Sequence, residues 1–113
     1  MFVVLSSNLF FGETWKCNLE PGEEIYSKVE LVRVGDHFEF TNKGYGGIDV
    51  FELIMENDHQ IILYNGEENF SFISILNKEY KTITTFVFDG DHPKHQPNPA
   101  FGNCEVLSNS RKS

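Results

Sequence analysis

Short apolar runs separated by compact turn signals recur along almost the whole chain, and no other feature restricts its fold as much. Such spacing marks a domain built from several short strands. Thr14 to Leu19 alternates, with Trp15, Cys17 and Leu19 on one face and Thr14, Lys16 and Asn18 on the other. Glu20-Pro21-Gly22-Glu23 is a turn, because Pro presets φ and Gly tolerates positive φ. Ile25 to Val34 forms the next strand, and Gly35-Asp36 is a tight hairpin signal leading into His37 to Thr41. Lys43 to Gly47 holds three glycines and reads as a loop.

Ile48 to Glu56 is the one segment where a helix competes, and its β-branched content favours a strand. Gln60 to Tyr64 and Asn69 to Leu76 flank Asn65-Gly66, the strongest local hairpin signal, since both central residues of a type I′ turn need positive φ. Asn77 to Glu79 turns the chain again into Tyr80 to Phe88, which places Tyr80, Thr82, Thr84, Phe86 and Phe88 opposite Lys81, Ile83, Thr85 and Val87. Asp89 to Pro99 is a proline-bearing loop, and Asn103 to Leu107 is a last short strand.

Tight turns leave few places for the long crossovers that parallel neighbours require. The expected fold is therefore all-β: a single antiparallel meander of about eight strands, closed or nearly closed into a barrel, because closure abolishes exposed edges. Residues 13–107 form this one domain, and 108–113 are a flexible tail. In an up-and-down barrel the first and last strands are neighbours, which would bring Cys17 beside Cys104. Two readings stay open for that pair: a disulfide in an oxidising compartment, or two buried thiols in a reducing one.

Residues 1–12 begin MFVVLSSNLFF, an apolar stretch too short to span a bilayer. It reads either as the remnant of a signal peptide or as an N-terminal strand. The formal charge of −8, with nine basic residues scattered and no basic stripe, argues against nucleic acid or an anionic membrane surface as partner. Insertion into a membrane is not expected either.

Trp15-Lys16-Cys17 near the start, Ile73 to Lys78 running into Thr82 to Phe88, and Gly102-Asn103-Cys104 near the end resemble small exported proteins of Gram-negative bacteria. Those proteins frame a β domain between a W-x-C strand and a terminal G-x-C strand, and many are uncharacterised. The resemblance implies a periplasmic or secreted location and no particular chemistry. Lipocalin-like barrels offer an analogy in fold, but Gly12 and Trp15 are spaced G-x-x-W, which departs from their G-x-W first strand.

Several groups are of a type that could carry chemistry. Asp89, Asp91, His92 and His95 crowd one loop and could bind a transition metal, yet no paired-ligand motif accompanies them, so a solvated loop is the favoured reading. His37 beside Asp36 and His59 beside Asp58 fall at turns, where strand neighbours point apart. Tyr45, between glycines, stands in either a recognition loop or a flexible connector. No nucleophile elbow, phosphate loop or dinucleotide fingerprint occurs. No catalytic, cofactor-binding or metal residue is assigned. Trp15, Phe38, Phe40, Phe70, Phe72, Phe86 and Phe88 either fill the barrel or line a ligand cavity, and core is favoured.

These observations favour a non-enzymatic exported binding or interaction protein with an unknown protein or small-molecule partner. A carrier of small apolar or lipid-like ligands inside the barrel is the alternative, and an enzyme ranks behind both.

Overall fold

The computed structural model describes residues 12–20, 28–42, 47–94 and 98–108. Eight strands follow one another as β1 (Glu13–Glu20), β2 (Lys28–Val34), β3 (His37–Asn42), β4 (Ile48–Glu56), β5 (Gln60–Gly66), β6 (Phe70–Asn77), β7 (Thr82–Asp89) and β8 (Ala100–Ser108). Each pairs antiparallel with the next, and β8 returns to β1, so the meander closes into a barrel. The expected architecture is the one observed. The segment before Gly12, the loop containing Tyr45, Ile25 at the start of the expected second strand, His95 and the tail beyond Ser108 lie outside the described residues.

Closure explains the cysteines. Cys17 and Cys104 stand directly opposite each other across the β1–β8 seam and are joined by a disulfide. The backbone N–H of Cys104 donates to the Lys81 carbonyl on the far side of β8. The pair thus occupies a position where the two strands exchange no hydrogen bonds and side chains approach most closely. The bond spans 87 residues, a ring for which loop-closure entropy corresponds to about 4.6 kcal/mol. Gly102 lies on the same seam, opposite Leu19. A Cβ at Gly102 would overlap the backbone carbonyl of Asn18, so no side chain fits there.

Inward positions alternate with outward ones along the strands, as the two-residue pleat requires, with one interruption on β4. Trp15, Cys17, Val29, Leu31, Phe38, Phe51, Ile61, Leu63, Leu76 and Ile83 form the buried core. The outer face is divided. Charged residues such as Lys16, Glu30, Glu39 and Glu105 lie outward on β1, β2, β3 and β8. Across β5, β6 and β7 the outward row is apolar, Tyr64 beside Ile73 beside Phe86.

Four local readings need correction. The Asn65-Gly66 hairpin does not form. Both residues belong to β5, paired with Phe72 and Ser71, and the chain turns at 67–69 with Glu67 N–H donating to the Phe70 carbonyl. The Asn65 side chain is used instead to donate to the Val50 carbonyl at 2.9 Å, stitching β5 to β4. The seventh strand starts at Thr82 rather than Tyr80, because Lys81 takes a left-handed φ of 54° to end the turn and Tyr80 N–H is held by the Asn77 side chain. The last strand is longer than expected and begins at Ala100. Phe86 and Phe88 face outward, so they neither fill the barrel nor line its interior.

Candidate functional site

The inward side chains divide the barrel into a packed end and an open end. At the packed end β2 leads to β3, β4 to β5 and β6 to β7 through short turns. Four inward-facing charged groups close it. The Arg33 guanidinium donates to both Glu56 oxygens at 2.6 and 3.1 Å and reaches Glu13 at 3.5 Å. Lys78 Nζ lies 2.9 Å from the same Glu56. Arg33 also lies over the Phe38 ring, 5.5 Å from its centroid, and Trp15 Nε1 donates to Glu13 at 3.5 Å. The hydrogen bond from Arg33, aided by Lys78 and opposed by partial burial, lowers the Glu56 pKa to about 2.

Glu56 reaches this place through a β-bulge. Leu53 pairs with Leu63 and Met55 with Ile62, so one residue more is spent on β4 than on β5. Ile54 and Met55 both end up exposed. Strict alternation from Phe51 and Leu53 would send Glu56 outward, and the bulge reverses its direction toward Arg33.

At the opposite end the described side chains leave space between them. A cavity of about 190 Å³ is lined by Leu19, Val29, Phe40, Phe51, Phe72, Val87 and Ala100, with Asn42, Asp49, Ser74 and Thr85 as its polar groups. Phe40 and Phe51 form a tilted ring pair 5.1 Å apart on one wall. Phe72 stacks with Phe70, whose own ring reaches the exposed rim. Ser74, only 2% exposed, shares a hydrogen bond with Thr85 at 2.9 Å across β6 and β7. Asp49 stands near the mouth, opposite Phe40 on the adjacent strand. Mostly apolar walls with a few placed polar groups are the usual composition of a small-molecule site. A larger depression, about 590 Å³, runs over the outside of β8, β1, β2 and β3, but it is broad and bordered by charges of both signs such as Lys28 and Glu30.

The aromatic set therefore separates by place. Trp15 and Phe38 are core, Phe40 and Phe72 line the cup, Phe70 marks its rim, and Phe86 and Phe88 lie outside. Phe51, which the alternation of β4 could have revealed, completes the cup.

The remaining polar candidates stay apart from this cavity. Asp89 caps its own turn, accepting from Asp91 N–H at 2.9 Å and lying 3.0 Å from His92 Nδ1. Among the described residues no group of three or more His, Cys, Asp or Glu is arranged to hold a metal ion. His37, the first residue of β3, lies within 4 Å of both Asp36 and Glu39, and exposed His59 donates its backbone N–H to Asn57 Oδ1. No helix among the described residues is long and apolar enough to cross a membrane.

Fold and site together define a small up-and-down barrel whose described side chains form a packed core toward one end and border a cavity toward the other. No protein-family model matches the chain, no curated protein matches it, and no solved structure matches it.

Proposed function

We propose that this chain is an exported, non-enzymatic binding protein that takes a small, mostly apolar molecule into the open end of its barrel. The carrying observation is the cup itself: a mostly apolar cavity of about 190 Å³ beside a core of fully buried side chains. Protein cores contain few voids larger than a water molecule, so unfilled space walled by Phe40, Phe51 and Phe72 calls for an occupant. The volume is modest. An apolar cavity of about 150 Å³ accommodates benzene, so this one suits a single ring or a short branched chain and is too small for a long lipid tail.

Export is supported by the Cys17–Cys104 disulfide, since such bonds persist in oxidising compartments. The outward charges on β1, β2, β3 and β8 would meet lipid if the barrel spanned a bilayer, which speaks against insertion.

Titration with benzyl alcohol, followed by protein NMR, tests the reading. Saturable shifts are expected at Leu19, Val29 and Val87, and Ala100→Phe, which fills the cup, should abolish them. Absence of saturation, or shifts spread over the outer strand faces, would count against it.

A further inference from the structure

We propose that the cup selects a small uncharged carbonyl compound, and that the Ser74–Thr85 hydroxyl pair donates a hydrogen bond to its oxygen. This rests on the reading of the cup as a ligand seat and adds the chemical class of the ligand. Ser74 and Thr85 both line the cavity and stand directly opposite each other on β6 and β7. Their oxygens lie 2.9 Å apart, so one hydroxyl donates to the other. Two hydroxyls carry two hydrogens, and that bridge uses one of them. Among the described residues neither hydroxyl has a further hydrogen-bond partner. One O–H donor is therefore left to the cavity. Under-used oxygen lone pairs are commoner in proteins than orphaned donors, so what the pair lacks is an acceptor.

The depth of the pair makes this donor matter. Inward residues of β6 and β7 pair as Phe72 with Val87, Ser74 with Thr85 and Leu76 with Ile83. Leu76 and Ile83 belong to the buried core, whereas Phe72 and Val87 line the cavity. The hydroxyls thus form a polar step at the inner limit of the cup. Ser74 is almost fully buried, so bulk water does not satisfy it. A hydrocarbon in the cup would leave the O–H unpaired or give up space to a water that pairs with it. A carbonyl oxygen meets the donor directly, while its apolar body rests against Phe40, Phe51 and Phe72. A carboxylate would also accept, at the larger cost of moving a charge out of water. The cavity of about 190 Å³ restricts the body to about one ring.

Acetophenone and α-methylstyrene share a ring and a shape and differ only in carrying C=O or C=CH₂. The alkene leaves water more readily, so the deciding quantity is the ratio of the two affinities, compared between wild type and the double variant Ser74→Ala with Thr85→Val. By NMR titration of the full chain, the ratio of acetophenone to α-methylstyrene affinity should fall about tenfold in the double variant. The infrared carbonyl stretch of acetophenone bound to wild type needs no variant to fold, and it should lie below its position in an alkane solvent. Binding of both probes with a ratio that the double variant leaves unchanged, or with a stretch at the alkane position, would overturn the carbonyl inference and leave the seat intact. Failure of both probes to bind would overturn the carbonyl inference and the seat together.

Discussion

The two ends of this barrel are built from the same eight strands, yet one is sealed and the other is a cup. At the sealed end Arg33, Glu13, Glu56 and Lys78 neutralise one another above Trp15 and Phe38. At the open end Phe40, Phe51 and Phe72 border space that no side chain of the cup fills. The difference lies in side-chain length and direction. Long charged side chains reach across one mouth, helped by a bulge that turns Glu56 inward. At the other mouth the inward positions carry shorter groups such as Ala100, Thr85 and Asn42. An eight-stranded barrel has an interior just wide enough to fill or to hold one small ligand, and this chain does both in different halves.

Matched truncations should expose the contrast most strongly. Phe38→Ala removes a fully buried ring beneath Arg33 and is expected to cost about 3–5 kcal/mol. Phe72→Ala removes a ring that already borders open space and should cost clearly less, about 1–2 kcal/mol. Urea unfolding of both variants measures the difference. Equal losses would mean that the two ends are packed alike.

The ion cluster comes next in size. Glu56→Gln leaves Arg33 and Lys78 without their shared carboxylate and should cost about 1–3 kcal/mol, between the values for exposed and buried pairs. Its signature is acid dependence. The Glu56 pKa is about 2 in the folded chain against an ordinary 4.5, so its contribution is fully present above about pH 4.5 and is lost as the pH falls toward 2. The difference in unfolding free energy between wild type and Glu56→Gln should therefore be clearly smaller at pH 3 than at pH 6. A constant difference would contradict the assignment.

The smallest effect is expected in the cup. Replacing the hydrogen-bonded pair by Ser74→Ala with Thr85→Val exchanges both partners for apolar groups of similar shape, and stability should stay within about 1 kcal/mol of wild type. Either single substitution leaves one buried hydroxyl unpaired and should cost more than the double, which a double-mutant cycle would show.

The contrast between the ends also marks how much of the molecule was legible in its sequence. Local alternation and turn residues were enough for eight strands, for the closed meander and for the meeting of Cys17 with Cys104, because each depends on near neighbours plus one topological rule. The sealed end was not legible. Its charges come from β1, β2, β4 and the turn after β6, and the bulge near Ile54 that turns Glu56 inward has no Gly or Pro to announce it. The Asn65-Gly66 pair misled for a related reason: a cross-strand hydrogen bond to Val50 holds Asn65 in β5 against its turn preference. Phe86 and Phe88 look like core residues by hydrophobicity alone, and only their register opposite Ile73 and Ser71 sends them outward. Asp49 was visible merely as an acid in an apolar strand. Its place beside Phe40 at the mouth of a cavity depends on how three strands pair.

Xenon is the most direct probe of the central claim, because it enters apolar space without needing a polar partner. A crystal of the protein equilibrated under xenon pressure should show one ordered atom among Phe40, Phe51 and Phe72 and none beneath the Arg33–Glu56 pair. An empty cup, or xenon lodged at the sealed end instead, would contradict the division of this barrel into a packed half and a seat.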